Sequence, residues 1–568
     1  MLERQPAWMQ EWDSPFSAEY TDRCRQLGYW QDRTLFDYVQ EQSGRTPGKS
    51  AVVDGSGRYR YEELVAHTLA VARGLQTLGV HSRTTVLVAV PPIRQFVPLF
   101  LGIEVLGAVV VNVMPSLGEP QFSTIIRLAQ PQVLVTVEAF GRHQPLSSIQ
   151  QALDQSATAR DETVVVCEPR ASDVRSCAHR VLSFEDLLQV GRGSTGSLPE
   201  RPRGTDLCNL TFTTGTTGEP KGVLHTHNTS LAAVQATARC QLLTSDDVFH
   251  AVLPVGHTFG YFYGVRLGLA VGGTIVMQSP WDAGAMVRLV ERECITHSAG
   301  TPTHLMDLVQ EAKRTSEASR RSLASLRVFT CAGAPLAPAL AREATALLTG
   351  RLSSAYGMSE AGHVASTRPE SPLDEVAGSV GLPHSDVNVW VDNASGGGAA
   401  ETGEIVVSGP SVFPGYIQGR EFSKIVLERE GTYRTGDIGY LDAQGYLVLT
   451  GRKKELVIRG GEKIPVGEVE TVLRRFPGVR EGVIVGVPDA RLGERAVAVV
   501  ECPDGQDLNL AAVTSYLDGE GIYKAYWPEA LVTVKELPRN DVGKWIRADI
   551  ARLAAQRLRI SPEPGDDG

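Results

Sequence analysis

Short, continuous apolar runs that alternate with helix-like segments are the feature that most limits how this chain can fold. The runs at 85–90, 109–113, 133–137 and 164–166 are rich in valine and lack the polar alternation of a half-exposed strand. Strands of this kind are buried on both faces, which is typical of parallel sheets covered by helices on each side. The sequence therefore predicts an α/β fold with stacked parallel or mixed sheets flanked by helices.

The length of the chain predicts more than one domain. At 568 residues it exceeds the size that a single hydrophobic core usually reaches. We place the main boundary at Gly451-Arg452-Lys453-Lys454, because a strand-like run ends there and an α+β pattern of about 115 residues follows. The prediction is a large N-terminal domain at 1–450, a short charged hinge at 451–454 and a small α+β domain at 455–568.

Charge and composition exclude several classes of protein. The net charge of −10 argues against non-specific binding to nucleic acid. No apolar run approaches the roughly 18 residues that span a bilayer, and the polar N-terminus lacks the apolar centre of a secretory signal. The eight cysteines are scattered without a Cys-x-x-Cys pair, which favours reduced thiols. We expect a cytoplasmic protein with no membrane span and no nucleic-acid partner.

The segment 210–223 predicts a phosphate-binding loop. A β-prone lead-in runs into threonines and glycines and ends in Lys221-Gly222. Such a loop offers backbone N–H groups, hydroxyl donors and one cation to a polyphosphate. The common Gly-Lys-Ser/Thr ending of a phosphate-loop ATPase is missing, since Pro220 precedes Lys221 and Gly222 follows it. A flexible linker is a poor alternative, because apolar residues stand on both sides of the loop.

This loop resembles the phosphate-binding signature of the ANL superfamily of adenylate-forming enzymes, which includes acyl-CoA and aryl-CoA synthetases and stand-alone adenylation enzymes. Four more segments are similar to the family's motifs and occur in its order. They are Tyr356-Gly357-Met358-Ser359-Glu360, Tyr433-Arg434-Thr435-Gly436-Asp437, the segment from Gly451-Arg452-Lys453-Lys454 to Gly460-Gly461-Glu462-Lys463, and Pro538-Arg539-Asn540-Asp541-Val542-Gly543-Lys544. The resemblance covers the chain from about Trp30 to Ala551.

The resemblance implies a two-step ligation that uses ATP, Mg²⁺ and CoA. A carboxylate attacks the α-phosphorus of ATP, and the acyl-adenylate then loses AMP to a thiol. By their match to the motifs, the residues that would bind the β- and γ-phosphates are Thr213, Thr214, Gly215, Thr216, Thr217, Gly218 and Lys221, while Ser359 would bind the α-phosphate and Glu360 would bind Mg²⁺. The adenine would lie against Tyr356, Gly357 and Met358, and the adenine and acyl group would be lined by Gly333, Ala334 and Pro335. The ribose would be bound by Asp437 and Arg452.

The residue types suit these implied roles. A carboxylate such as Asp437 can accept two O–H bonds, and a hard oxygen ligand such as that of Glu360 suits Mg²⁺. Taken singly, each also has a structural explanation: a solvated surface acid for Glu360, a core aromatic for Tyr356 and a turn residue for Asp437. Only the ordered set of motifs favours the functional interpretation.

Four further residues have catalytic or conformational roles by the same resemblance. Lys544 would stabilise charge on the attacking carboxylate and the bridging oxygen, as a flexible ammonium can. His257 would stand beside the acyl carboxylate, although a lone histidine near apolar residues is more often structural. Lys454 would be the hinge of a domain rotation, and Gly461, beside Gly460, would line the thiol tunnel after it.

The acid is less well defined than the nucleotide. The segments 257–262 and 299–302 are expected to line an apolar and aromatic acyl pocket, which favours a hydrophobic acid. The leading interpretation is an acid–CoA ligase for an aryl, alicyclic or medium acyl carboxylic acid. The alternatives are an adenylation enzyme that loads a carrier protein, a member that performs only thioester formation, and a nucleotide-binding protein or ATPase. His225 and His227 are interpreted as packing residues, because no other metal ligands accompany them.

Overall fold

The structure, a computed structural model, describes most of the chain. The described residues are 6–10, 16–155, 163–167, 180–213, 220–314, 323–348, 351–392, 402–418, 421–424, 431–453, 456–459, 462–489, 491–502, 508–540 and 543–558.

Strands occur along nearly the whole described length. In chain order they are β1 (Ser50–Asp54), β2 (Gly57–Arg60), β3 (Thr85–Ala89), β4 (Val109–Asn112), β5 (Val133–Val137), β6 (Thr163–Cys167), β7 (Arg180–Ser183), β8 (Leu207–Thr213), β9 (Lys221–Thr226), β10 (Val248–Ala251), β11 (Thr274–Met277), β12 (His297–Gly300), β13 (Val328–Ala332), β14 (Arg351–Met358), β15 (Gly362–Ser366), β16 (Leu382–Pro383), β17 (Asn388–Asp392), β18 (Gly403–Ser408), β19 (Gly415–Gln418), β20 (Glu421–Lys424), β21 (Thr432–Leu441), β22 (Leu447–Arg452), β23 (Leu456–Arg459), β24 (Glu462–Pro465), β25 (Glu481–Asp489), β26 (Gly493–Glu501) and β27 (Ala530–Val534).

Helices separate many of these strands. The α-helices are α1 (Ala7–Gln10), α2 (Ala18–Gln26), α3 (Leu35–Arg45), α4 (Tyr61–Thr77), α5 (Phe96–Val105), α6 (Glu119–Ala129), α7 (Pro145–Asp154), α8 (Phe184–Gly193), α9 (His227–Cys240), α10 (Leu267–Ala270), α11 (Ala283–Glu293), α12 (Pro302–Arg314), α13 (Pro338–Leu347), α14 (Leu373–Gly378), α15 (Val466–Leu473), α16 (Leu510–Gly519) and α17 (Arg547–Arg557). A π-helix spans Phe259–Arg266, and short 3₁₀ turns span Leu323–Ser325 and Lys524–Tyr526.

Two nine-stranded sheets form the large domain. One has the order β20-β19-β9-β8-β4-β3-β5-β6-β7, parallel from β8 to β7 and antiparallel at the β9 side. The other has the order β16-β15-β14-β13-β12-β10-β11-β1-β2, with parallel pairing from β14 to β1 and antiparallel edges. The phosphate motif leaves the end of β8, and the second motif occupies the end of β14. Ligand sites of open α/β sheets lie at these carboxyl ends.

The apolar core between the two sheets is built from the runs that the sequence indicated. Val86 and Val88 of β3 and Val110 of β4 share this core with Phe249 of β10 and Ile275 of β11. Helix α9 enters it directly after the phosphate motif, and its first turn is held by Thr226, whose hydroxyl accepts from the backbone N–H of Thr229. A capped N-terminus fixes where a helix starts.

Two smaller sheets complete the fold. β17, β18, β21 and β22 form an antiparallel sheet that carries Asp437 and Arg452. β23 to β27 form the sheet of the small domain, with α15, α16 and α17 packed near it. The predicted fold, a large α/β domain of mixed sheets with a smaller C-terminal domain, is confirmed.

Two residues of the predicted hinge at 451–454 lie in a paired strand. Gly451 and Arg452 continue strand β22, where they pair with Ile438 and Asp437. The pairing satisfies their backbone groups, so these two residues belong to the sheet rather than to a free connection. Lys454 lies outside the described residues, and the hinge itself stays a prediction. None of the described helices combines the length and the apolar character that crossing a membrane requires.

Candidate active site

The phosphate motif is held at both ends by paired strands. Thr213 at the end of β8 pairs with Lys221 at the start of β9, and the Thr213 hydroxyl donates to the Lys221 carbonyl at 3.4 Å. The intervening candidates Thr214, Gly215, Thr216, Thr217 and Gly218 lie outside the described residues. The structure describes the base of the loop, where the pairing of β8 with β9 sets the position of Lys221.

Lys221 and Glu360 are joined through a tyrosine that the sequence analysis did not single out. The Lys221 ammonium lies 5.3 Å from the ring centroid of Tyr416, within the range of a cation–π interaction. The Tyr416 hydroxyl donates to Glu360 Oε1 at 2.7 Å and lies 2.8 Å from the hydroxyl of Tyr433, which is then the donor to Tyr416. Burial and the neighbouring Glu360 carboxylate raise the pKa of Tyr416, so it remains a donor. This chain of hydrogen bonds fixes the Glu360 side chain beside the phosphate motif.

A second chain of hydrogen bonds links Tyr356, the adenine candidate, to the ribose candidates Asp437 and Arg452. The Tyr356 hydroxyl donates to Asp437 Oδ2, and Arg452 Nε lies 2.8 Å from Asp437 Oδ1. Burial and the Asp437 charge raise the pKa of Tyr356. Asp437 is 6% exposed, while the Arg452 side chain is 60% exposed. Each carboxylate oxygen has a second lone pair, so Asp437 can still accept bonds from hydroxyl groups.

The hairpin between β14 and β15 positions Ser359. Thr258 donates its hydroxyl proton to Ser359 Oγ at 3.0 Å, and His225 Nε2 lies 2.7 Å from the Ser359 carbonyl oxygen. The other ring nitrogen of His225 lies 3.0 Å from the Thr229 hydroxyl, and burial lowers the pKa of His225 to about 4. A neutral His225 that donates from Nε2 therefore ties the strand after the phosphate loop to the second motif. This agrees with a packing role for His225.

His257 is held as a neutral ring with a defined tautomer. Its Nδ1 accepts from the backbone N–H of Phe259 at 3.2 Å, which leaves the ring proton on Nε2. Burial, followed by the positive charge of Lys544, lowers the pKa of His257 to about 3. The ring is thus a neutral donor near the candidate lysine.

Lys544 reaches the large domain on a tight turn. Gly543 has a φ of +78°, a conformation that favours glycine, and its N–H donates to the Asn540 carbonyl at 2.8 Å. Asn540 Oδ1 accepts from the Lys544 N–H at 2.9 Å, and Arg539 donates to the Gly543 carbonyl at 3.2 Å. These bonds fix the turn, but the side chain of Lys544 extends beyond it.

The Lys544 side chain ends against Gly333. A Cβ built on Gly333 would lie 3.6 Å from Lys544 Cε, and one on Gly543 would lie 2.9 Å from the Thr301 hydroxyl. Burial, followed by the Arg452 charge, lowers the pKa of Lys544, while Asp437 and Glu360 act in the opposite direction. Gly333 follows β13 and is exposed, Ala334 is half-buried and Pro335 is exposed. The structure therefore brings the C-terminal lysine together with the large-domain candidates.

Some expectations for the site are corrected or lie outside the described residues. Tyr261 does not line a pocket: its ring is fully buried against Phe96 and Phe100, and its hydroxyl donates to the buried Glu104. The π-helix turns this side chain into the core. Gly461 and Lys454 are not among the described residues, so their roles stay predictions.

Magnesium is the metal that the motifs imply. Among the side chains that the structure describes, no group of three or more His, Cys, Asp or Glu is arranged to ligate a metal. In nucleotide sites Mg²⁺ is usually held by one or two carboxylates together with phosphate oxygens and water. The half-buried Glu360, which is tied on one oxygen by Tyr416, fits an ion that binds together with the triphosphate.

Comparisons with known proteins identify the family of this chain. Residues 39–417 match the AMP-binding enzyme family, and residues 468–544 match the AMP-binding enzyme C-terminal domain. The medium-chain fatty-acid–CoA ligase of Escherichia coli K12 is 30% identical over 554 residues, which are 95% of this chain and 94% of that protein. A salicylyl-CoA synthase / salicylate adenylyltransferase of a Streptomyces species is 31% identical over 537 residues, or 93% and 95%.

Solved structures show the same architecture. ATP-bound MatB from Rhodopseudomonas palustris superimposes with a TM-score of 0.77 at 25% identity, over 93% of this chain and all of that chain. The chain belongs to the AMP-binding enzyme family, within the ANL superfamily of adenylate-forming enzymes, and is an ATP-dependent, AMP-forming acid–thiol ligase.

Proposed function

We propose that this protein is an acid–CoA ligase that activates a hydrophobic carboxylic acid, aryl, alicyclic or medium acyl, as its acyl-adenylate and transfers the acyl group to CoA. The single observation that carries the proposal is the position of Lys544. Its Cε lies near Gly333. Burial, followed by the charge of Arg452, lowers the pKa of its ammonium, and the charges of Asp437 and Glu360 act in the opposite direction. A cation at that point can act where negative charge develops in phosphoryl transfer.

In the first half-reaction a carboxylate oxygen forms a bond to the α-phosphorus, and the bond from that phosphorus to the bridging oxygen of pyrophosphate breaks. Lys221 at the base of the phosphate loop would bind the departing β- and γ-phosphates. Ser359, oriented by the Thr258 hydroxyl, would bind the α-phosphate. Lys544 would stabilise the charge on the attacking carboxylate and the α-phosphate. Mg²⁺, held by Glu360, would neutralise phosphate charge when bound.

The nucleoside would be oriented by the second chain of hydrogen bonds. Asp437 would accept from the ribose hydroxyls with its remaining lone pairs, and Arg452 would stay paired with it. Tyr356, with Gly357 and Met358, would lie against the adenine, and Gly333, Ala334 and Pro335 would form the opposite wall. The neutral His257 would direct its Nε2–H toward the acyl carboxylate.

The second half-reaction transfers the acyl group. The sulfur of the thiol would form a bond to the acyl carbon, the bond to the phosphate oxygen of AMP would break, and the thiol proton would leave with the products. The small domain would rotate about Lys454 and bring Gly461 to the thiol path. A backbone without side chains suits the passage of a pantetheine arm.

A panel of carboxylic acids, scored for pyrophosphate, AMP and thioester with and without CoA, tests the proposal. Release of AMP and pyrophosphate with an apolar acid, and a CoA thioester when CoA is present, is the expected result. Release of ADP would contradict it. Pyrophosphate without a CoA thioester, followed by acyl loading of a phosphopantetheinylated carrier protein, would assign the acyl acceptor to a carrier instead. A carrier protein is the second candidate acceptor, because the similar Streptomyces protein is both a salicylyl-CoA synthase and a salicylate adenylyltransferase.

A further inference from the structure

One buried histidine beside the candidate site has a ring nitrogen to which no described residue is hydrogen-bonded. His363 lies on β15, four residues after Ser359, and is 2% exposed. Its ring stacks on Tyr263, with centroids 3.7 Å apart and an interplanar angle of 19°, and lies 6.3 Å from the ring of Phe259. Within the described residues its Nε2 has no hydrogen-bond partner.

The free edge of the His363 ring lies next to the second motif. A Cβ built on Gly357 would lie 3.0 Å from His363 Cδ2, the carbon bonded to Nε2. Gly357 is itself exposed, and the strand register shifts between Tyr356 and Gly357. A Cβ on Gly357 would also lie 2.6 Å from the Gly362 carbonyl oxygen, so glycine avoids contact with the paired strand and leaves the edge of the imidazole uncovered.

The hydrogen bonds around His363 favour one tautomer of its ring. Its Nδ1 lies 3.1 Å from the hydroxyl of Thr237 on α9, and that hydroxyl donates its own proton to the Ala233 carbonyl at 3.3 Å, four residues earlier. A threonine in a helix commonly donates in this way. The Thr237 oxygen then accepts from His363 Nδ1–H, which leaves Nε2 as an acceptor. Burial lowers the pKa of His363, so the ring is neutral.

The residues around this acceptor are those expected near the carboxylic acid substrate. Phe259 and Tyr263 are on the π-helix that begins two residues after His257, and Thr258 bonds to Ser359. π-helical turns occur frequently at functional sites. The nucleoside candidates Tyr356 and Asp437 pair with each other, so they do not need His363.

Leaving a buried acceptor without a donor destabilises a fold, so such a group calls for a partner. We propose that His363 Nε2 accepts a hydrogen bond from a hydroxyl or amino substituent of the acid, so that the preferred substrate is a ring-bearing carboxylic acid with such a donor. The inference rests on the proposed ligase function and narrows its substrate class. The flat faces of Phe259 and Tyr263 favour a ring over a flexible chain.

A buried water is the competing explanation. His384 Nδ1 also has no partner among the described residues, and the rings of His363 and His384 are 6.1 Å apart. A water between them would satisfy both nitrogens and would contribute nothing to the choice of acid.

Matched benzoates distinguish the two explanations. Hydroxybenzoates and aminobenzoates are compared with fluorobenzoates substituted at the same ring position, by kcat/KM for pyrophosphate release. Fluorine is small and cannot donate. We expect one donor-bearing acid to exceed its fluoro partner by about 10- to 100-fold, the size of one lost buried hydrogen bond. In His363→Phe, which keeps an aromatic ring, that ratio should fall to within about threefold while activity on the fluoro acid persists.

Variants of Thr237 provide the control if His363→Phe fails to fold. Thr237→Val removes the acceptor that holds the proton on Nδ1, so the preference for a donor should weaken. Thr237→Ser keeps the hydroxyl and should keep the preference. A merely structural role, or a bridging water, would change every acid by the same factor and would overturn the assignment.

The remaining outcomes separate this inference from the proposed function. Pyrophosphate release with no difference between donor and fluoro acids, or activity confined to acids that lack a donor, overturns the role of His363 and leaves the ligase intact. If no acid of either kind, cyclic or linear, releases pyrophosphate, the proposed function fails together with the inference that rests on it.

Discussion

The two domains contribute to the candidate site in different ways. The large domain supplies side chains that are already bonded to one another: Tyr416 with Glu360, and Tyr356 and Arg452 with Asp437. The small domain supplies one ammonium, on a turn that carries hydrogen bonds within its own segment. The first arrangement suits binding a nucleotide in one orientation, and the second suits bringing a charge to it and removing it again.

This contrast indicates that nucleotide binding and bond-making can be separated in this protein. A network of satisfied polar groups is rigid, and rigid groups bind without reorganisation. A lysine on a separate unit can affect the rate and leave nucleotide affinity almost unchanged.

The largest effect is expected for Lys544→Ala. Adenylation, measured as pyrophosphate release, should fall by about 10²- to 10³-fold, the size of one lost electrostatic donor. The KM for ATP should stay within about threefold, and thioester formation from a supplied acyl-adenylate should be spared. Lys535→Ala, at an exposed lysine on the same segment, is the matched control. Unchanged pyrophosphate release in Lys544→Ala would remove Lys544 from the site.

Asp437→Asn should weaken ATP binding more than it slows the reaction, the reverse of Lys544→Ala. Loss of charge-assisted hydrogen bonds should raise the KM for ATP by about 10- to 100-fold, with a smaller change in kcat at saturating ATP. Tyr356→Phe removes one donor to Asp437 but leaves Arg452, so its KM should rise less. Steady-state kinetics with varied ATP measures both. A kcat loss with no change in KM would contradict the division between the domains.

A smaller effect is expected for Tyr416→Phe. The ring stays beneath Lys221, but Glu360 loses its hydroxyl donor, and adenylation should fall by about 3- to 10-fold. Tyr416→Leu also removes the ring and should reduce adenylation further. If the two variants are equal, the cation–π contact with Lys221 contributes nothing.

The smallest expected effect is in the pH profile. Burial lowers the pKa of His257 to about 3, so the ring is neutral throughout and should cause no step in adenylation between about pH 5 and 7. Burial also lowers the pKa of Lys544, so its charge is lost at a lower pH than that of an ordinary lysine, and the alkaline decline should begin correspondingly earlier. Pyrophosphate release from pH 5 to 10 in the natural protein and in His257→Ala tests this. A step near pH 6.5 that disappears in His257→Ala would contradict the assignment.

The sequence predicted the features that depend on local pattern. The valine-rich runs became buried strands such as β3 and β5, because continuous apolar segments have to be covered on both faces. The resemblance of the motifs to those of the family indicated Tyr356, Asp437 and Lys544, which are far apart in the chain and close in the structure. Their convergence required the family resemblance, since no periodicity relates them.

The sequence did not reveal residues whose position depends on distant pairing. Tyr416 reaches Glu360 because β19 pairs with β9, and no local pattern predicts that register. Tyr261 and Phe259 look equivalent in an aromatic run, but the π-helix buries one in the core and leaves the other beside His363. That Nε2 of His363 has no partner within the described part of the chain becomes visible only once its neighbours are known.

A crystal structure with Mg²⁺ and α,β-methylene-ATP tests most directly the claim that both domains act on one triphosphate. We expect Asp437 within about 3 Å of the ribose hydroxyls and the ammonium of Lys544 at hydrogen-bonding distance from the α-phosphonate in the same molecule. A nucleotide bound at Asp437 and Lys221 while Lys544 stays against Gly333, with no contact to any phosphate, would contradict it.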